Sequence, residues 1–160
     1  MIREVKQEEI PECVELIKKS FSTVAEEFGF TEENAPRFTA FATTGDRLLW
    51  QMLEEHRPMF VYEDDGVLCG YYSLHIQENN ECELNNLAVL PEFRHKGIGK
   101  SLLDHAFKTA GELGCSSMNM GIVEENVTLR KWYEKAGAVH LGTHKFDFFP
   151  FTCGYMKKEI

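Results

Sequence analysis

The residues with the clearest chemical purpose lie in one short stretch, Arg94-His95-Lys96-Gly97-Ile98-Gly99-Lys100. Gly97 and Gly99 lack the side chains that would keep an anion away from the backbone. The apolar positions around them, Ile98, Leu102, Leu103, Ala106, Phe107, Ala110 and Leu113, are spaced as one face of a helix. A helix that begins there presents unpaired N–H groups and the positive end of its dipole. Arg94, His95, Lys96 and Lys100 add positive character in a chain whose net charge is −9. The chemistry implied is the holding of a phosphate.

Several phosphate loops compete for this stretch. Gly99-Lys100-Ser101 ends like the nucleotide-binding loop G-x-x-x-x-G-K-S/T, but the first glycine of that pattern falls on Arg94. The dinucleotide fingerprint G-x-G-x-x-G needs its third glycine where Leu102 stands. A purely structural alternative is that the two glycines shape a tight strand-to-helix connection. The pattern that fits throughout is R-x-x-G-x-G.

In that pattern the run Leu87-Ala88-Val89-Leu90-Pro91-Glu92-Phe93, continued through Arg94–Gly99 to Leu103, resembles the acetyl-CoA-binding motif of the GNAT superfamily of N-acetyltransferases. A second run, Asn126-Val127-Thr128-Leu129-Arg130-Lys131-Trp132-Tyr133-Glu134-Lys135-Ala136-Gly137, is similar to that family's second motif. The flanking strands follow in the matching order, so the likeness covers most of the chain. It implies an α/β (α+β) fold of the GNAT type, with a central mixed, mostly antiparallel sheet splayed between two strands and flanked by helices. It also implies transfer of an acetyl group from acetyl-CoA to a primary amine by direct attack on the thioester. A rival of another class keeps the fold as a non-catalytic acyl-CoA-binding sensor.

The resemblance assigns roles residue by residue. Backbone groups of Leu87, Ala88 and Val89 would pair with the pantetheine arm as an added strand does, and one N–H could polarise the thioester carbonyl. Arg94, His95, Lys96, Gly97, Ile98, Gly99 and Lys100 would surround the pyrophosphate. Asn126 would contact the cofactor arm, and Tyr133 would face its sulfur. These two residues are seven apart, about two helical turns, and so share a side of one helix. Tyr133 is the candidate general acid, since attack by an amine expels a thiolate and a phenol near its ordinary pKa of about 10 can protonate it. A core tyrosine is the structural alternative for Tyr133, and an N-cap, compatible with the other role, is that for Asn126.

An amine must also lose protons. A lysine-like ammonium lies about 3.4 units above neutrality, so deprotonation costs roughly 4.6 kcal/mol. Glu83 matches the family's strand glutamate and is the candidate general base. It stands four residues before Leu87, about 13 Å along a strand, which implies a water relay. The alternatives are an exposed strand-end carboxylate, or an amine positioned by Asn85, Asn86 or the backbone. His140 and His144 are weaker candidates, read as structural. The acceptor site falls to Phe21–Asp46 and Phe146–Thr152. There Phe146, Phe148, Phe149 and Phe151 could wall the site, mediate a homodimer or simply pack the core.

The elements that must position these residues follow from pattern. Met1–Val5 reads as a strand, and Ile10, Cys13, Val14, Ile17 and Phe21 as a helix face. Phe28 to Gly45 has a mixed pattern. Asp46 is expected to cap a helix reaching about Glu55, with Leu48, Leu49, Met52 and Leu53 inward and Pro58 beyond it. Met59–Tyr62 and Val67–Ile76 form a hairpin around Asp65-Gly66. Cys82–Leu90 reads as a central strand, and its change of parity between Leu84 and Leu87 allows a bulge. A helix then runs to about Leu113, with Gly114 past its end, followed by a strand Ser116–Val123. Asn126 opens a helix that Gly137 closes, and Val139–Phe146 and Phe151–Lys158 read as a last pair of strands.

Composition narrows the class. At 160 residues the chain fits one domain, residues 1–160. Its net charge opposes phosphate-backbone binding, so nucleic acid is not an expected partner; the expected substrate is a small-molecule or peptide amine. No apolar run approaches a membrane span and Met1–Lys6 lacks a signal-peptide core, which gives a cytoplasmic expectation without a membrane partner. Five scattered cysteines with no C-x-x-C pair read as buried thiols, with no metal site.

Overall fold

A computed structural model describes residues 1–160. Seven strands form one sheet: β1 (Ile2–Glu4), β2 (Met59–Asp64), β3 (Val67–Ile76), β4 (Glu81–Val89), β5 (Ser117–Val123), β6 (Val139–His144) and β7 (Cys153–Glu159). Their order across the sheet is β1-β2-β3-β4-β5-β7-β6. Only the β4–β5 pair is parallel; the other five are antiparallel. The mixed, mostly antiparallel sheet expected from the sequence is present.

Helices α1 (Ile10–Phe28), α2 (Thr39–Ala42), α3 (Gly45–Leu53), α4 (Ile98–Glu112) and α5 (Val127–Lys135) flank it. Helix α1 buries Ile10, Cys13, Leu16 and Ile17 in the main core and ends at Gly29, whose φ of 74° is left-handed. Helix α4 buries Ile98, Leu102, Leu103, Ala106 and Ala110. It lies so close to β3 that a Cβ on Gly70 would come within 3.2 Å of both Ile98 Cγ2 and Tyr62 Cβ. An isolated glycine inside a strand marks such an approach.

Most elements lie within a residue or two of the expected bounds. The hairpin turn takes Asp65 at φ 53° and Gly66 at φ 80°, the two left-handed residues of a type I′ turn. Two expectations change. The cap of α3 is Thr44, whose side chain accepts from the Arg47 N–H at 3.2 Å, so Asp46 sits inside the first turn. There Asp46 still complements the dipole. Leu53 and Leu113, expected inward, are about half exposed at the C-terminal ends of their helices.

The feature that positions the site is the parting of β4 and β5. They pair from Glu81↔Ser117 to Leu84↔Met120 and no further. Beyond that point Ala88 and Val89 still pair with β3, and Gly121 to Val123 with β7, so each strand keeps its outer neighbour. A bulge lies at the parting: the β3–β4 register shifts between Tyr71 and Ser73, opposite Asn86 at φ 53°. Bulges increase local twist and bend a strand. The allowed parity change is therefore real. It turns Glu83 and Asn85 to the same face as Ala88, and Val89 to the other.

Candidate active site

The antiparallel ladder decides where β4 points its backbone. Leu90 N–H bonds the Cys69 carbonyl at 2.9 Å, so Leu90 and Ala88 face β3 with their polar groups. Alternation then turns those of Val89 and Leu87 into the gap toward β5. The Val89 carbonyl already accepts from Arg94 Nε at 3.2 Å, while its N–H has no strand partner on that side.

At the end of β4 a short 3-10 turn, Pro91–Phe93, leads into the glycine loop. His95 at φ 63° and Gly97 at φ 82° turn the chain so that α4 starts at Ile98. The first backbone bond of the helix runs from Ser101 N–H to the Gly97 carbonyl at 3.0 Å. The N–H groups of residues 95–100 find no protein acceptor, and together with the helix dipole they can hold an anion. Lys96 and His95 are exposed beside them, and Lys100 is paired with Asp104 at 2.7 Å.

Arg94 differs from its neighbours. Its guanidinium donates to Thr23 Oγ1 at 2.9 Å, to the Ser20 carbonyl at 3.0 Å and to Ser20 Oγ at 3.2 Å. Burial pushes its pKa down from the usual range. The side chain thus ties the loop to α1 and to Val89, and the positive charge open to solvent at the loop is that of Lys96 and Lys100.

The two sequence motifs meet at Gly99. A Cβ there would lie 3.6 Å from Trp132 Cζ2 and 3.7 Å from Val89 Cγ2, so the start of α4, the end of β4 and the side of α5 converge. Helix α5 is capped by Asn126, whose Oδ1 accepts from Leu129 N–H at 3.2 Å. The cap uses the oxygen and leaves the amide Nδ2 available. Tyr133 is 6% exposed and packs edge-on against Trp132 with ring centroids 5.3 Å apart. Burial alone pushes its phenol well above the ordinary value, so Oη carries its proton at neutral pH.

Glu83 is half-buried where β4 and β5 still pair, with His75 beside it on β3 and Asn119 on β5. Gln77 Nε2 donates to Oε2 at 3.4 Å. The orientation of the Asn85 amide is assigned from its hydrogen-bonding neighbours: with Nδ2 turned to Glu83 Oε1 (2.8 Å) and Oδ1 to Arg57 Nη1 (3.3 Å), both groups meet a complementary partner. Arg57 also holds Glu55 Oε1 through Nε and Nη2, each at 3.0 Å, and His75 Nε2 lies 3.5 Å from Glu55 Oε2. Sequence reasoning missed Arg57, Glu55, His75 and Gln77. They come from two separate segments, and only the register of β2, β3 and β4 brings them to Glu83.

A profile of the acetyltransferase (GNAT) family matches residues 14–138. The chain belongs to that family. It is an N-acetyltransferase that draws its acetyl group from acetyl-CoA. The thialysine N-epsilon-acetyltransferase of Bos taurus is 26% identical over 160 residues, covering 92% of this chain and 91% of its own. An uncharacterized N-acetyltransferase of Lactobacillus delbrueckii subsp. lactis is 24% identical, covering 91% and 87%. The PaiA N-acetyltransferase from Thermoplasma acidophilum, solved with coenzyme A, superposes with a TM-score of 0.80 at 22% identity, over 100% of this chain and 98% of that one.

The remaining candidates are placed away from the loop. His140 Nε2 bonds Glu124 Oε2 at 2.8 Å, and Arg130 holds the other oxygen at 3.0 Å. A Cβ on Gly154 would strike that carboxylate. His144 is exposed against the ring of Phe146. Phe151 is buried in a second core with Phe30, Phe38 and Val123, and Phe149 packs on it. Phe148 is 41% exposed, under Arg37 at 4.2 Å. For Phe149 and Phe151 the packing reading holds. No helix of the chain is long and apolar enough to cross a membrane, and all five cysteines are free thiols, four of them buried.

Proposed function

We propose that the family chemistry is carried out here on a primary amine that attacks the thioester directly, with Tyr133 as general acid and Glu83 as general base acting through water. The observation that carries the reading is the convergence at Gly99, where the anion-holding loop, the open edge of β4 and the helix bearing Tyr133 come together. Acetyl-CoA supplies the acetyl group as a thioester whose sulfur leaves as a thiolate. The N–H groups of residues 95–100 fit its pyrophosphate. The N–H of Leu87 and Val89, with Ala88 between them, fits the pantetheine arm, and Asn126 Nδ2 a further carbonyl of that arm.

Tyr133 Oη gives its proton to the leaving sulfur. Burial disfavours phenolate and thiolate alike, so the proton transfer is not opposed by the raised phenol pKa alone. Glu83 takes up the proton that the amine loses, passed along water, and releases it to solvent. Likeness to the thialysine N-epsilon-acetyltransferase of Bos taurus supports a small acceptor with an amine at the end of a flexible chain. Residues 1–160 work as one domain, a reading supported by the single sheet spanning Ile2 to Glu159. Free cysteines throughout support the reducing cytoplasm as its location.

Single-turnover acetyl transfer tests the assignment. Tyr133→Phe is expected to slow the chemical step by about 10²-fold or more with coenzyme A affinity unchanged. Glu83→Gln is expected to remove the acid limb of the pH–rate profile. Unchanged transfer by a folded Tyr133→Phe enzyme would sink the acid role, and an unaltered profile in Glu83→Gln the base role.

A further inference from the structure

We propose that Asn85 and Arg57 are positioning residues that hold the Glu83 carboxylate in its working orientation, through a directed chain from Arg57 Nη1 to Asn85 Oδ1 and from Asn85 Nδ2 to Glu83 Oε1. The inference rests on the reading of Glu83 as general base.

Each link has a fixed direction. Arg57 is 13% exposed and Glu55 18% exposed, and two of the guanidinium nitrogens are spent on Glu55. One nitrogen, Nη1, remains for Asn85 at 3.3 Å. A guanidinium cannot accept, so the amide must turn its oxygen to Arg57 and its N–H to Glu83. The positive charge behind the amide polarises it and strengthens the N–H as a donor. Glu83 thereby feels a cation through a neutral group. A direct Arg57–Glu83 pair would instead lower the basicity of the carboxylate further.

The backbone makes this arrangement. Glu83 and Asn85 are two residues apart and share a face of β4, while the bulge at Asn86 ends that alternation. Asn85 pairs with Ser73 and Glu83 with His75 across the β3 ladder. Arg57 arrives from the segment between α3 and β2, fixed by its own N–H on the Gln51 carbonyl at 3.0 Å. A link between that segment and β4 therefore crosses β3 and needs a long side chain.

Other charges face Glu83 from each packed element. On its own strand Glu81 is bonded to Lys157 of β7. On β3, His75 faces Glu55. Toward the sheet α1 buries only apolar residues, Cys13 and Ser20. Gln77 and Asn119 are neutral. Arg57 reaches Glu83 through a single amide, whereas Lys157 reaches it only through Glu81, Asn119 and Gln77 in turn.

The test is the pH dependence of kcat for the full-length enzyme with a saturating amine. Loss of a hydrogen bond to a carboxylate disfavours its charged form, so Asn85→Ala should move the acid limb to higher pH by about one unit. Arg57→Gln should move it the same way by less. Because Arg57→Gln strands Glu55, the double variant Arg57→Gln, Glu55→Gln, which removes both charges, is measured beside it. Coenzyme A affinity and thermal midpoint establish that each variant is folded. An acid limb that stays put in Asn85→Ala and in the double variant, while Glu83→Gln abolishes it, overturns the positioning role and leaves the base role standing. A limb that survives Glu83→Gln overturns the base role, and the positioning role falls with it.

Discussion

Leu84 and Met120 are the last residues at which β4 and β5 sit side by side. The residues proposed for catalysis and cofactor binding are arranged around their separation. Below them Glu83 is held between strands; above them the edge of β4 opens and leads into the glycine loop. The bulge at Asn86 lies just past the contact and changes which side chains face each layer. A local backbone irregularity thus separates the face that carries Glu83 and Asn85 from the edge that can pair with a ligand.

Gly97 and Gly99 should fail differently. Gly97 is left-handed at φ 82°, so Gly97→Ala should destabilise the fold by about 1 kcal/mol. At Gly99 a Cβ would meet only ordinary contacts at 3.6 Å and 3.7 Å. Gly99→Ala should keep the thermal midpoint while weakening coenzyme A binding by about tenfold, the worth of one charge-assisted hydrogen bond. Calorimetric titration beside a melting curve separates the two. Unchanged affinity in Gly99→Ala would mean that this glycine serves packing alone.

Arg94 should behave as a brace. Removing its bonds to Ser20, Thr23 and Val89 in Arg94→Ala should cost about 2 kcal/mol of stability. Coenzyme A binding should weaken through loss of loop order, and the salt dependence of binding should stay as in the parent. A shallower salt dependence would instead mark Arg94 as a direct phosphate contact.

Stability on the acid side should depend on Glu9. Two hydrogen bonds from Arg3, at 2.9 Å and 2.7 Å, hold its carboxyl down at about 2 from an ordinary 4.5. The folded state therefore binds fewer protons than the unfolded one, so this stabilisation is full above the ordinary value and is lost as pH falls toward about 2. Urea midpoints measured from about pH 5 to about pH 2.5 should fall less steeply in Glu9→Gln than in the parent. Equal slopes would show that the pair adds nothing.

The sequence carried the site in proportion to how local its signals are. The loop, its helix and the Asn126 cap are adjacent-residue features, and glycine, charge and spacing reveal them directly. Asn86 announced the bulge only as a change of parity. Arg57 gave no signal, because its partner Asn85 is reached across β3 and the pairing exists only once β2, β3 and β4 are in register. Arg94 showed its charge but not its direction, since Ser20 and Thr23 lie more than seventy residues away. Asp46 looked like a cap as readily as Thr44 does, and the Thr44 Oγ1 bond to Arg47 N–H decides it.

The central claim is acetyl transfer to a small primary amine. Its most direct measurement is thiol release from acetyl-CoA across a panel of diamines, lysine-like amino acids, aminoglycosides and N-terminal peptides, with product mass confirmed for each. The account predicts thiol release with at least one amine, an added acetyl group on that amine, and both slowed by about 10²-fold or more in Tyr133→Phe. Tight coenzyme A binding with no transfer to any amine would contradict it.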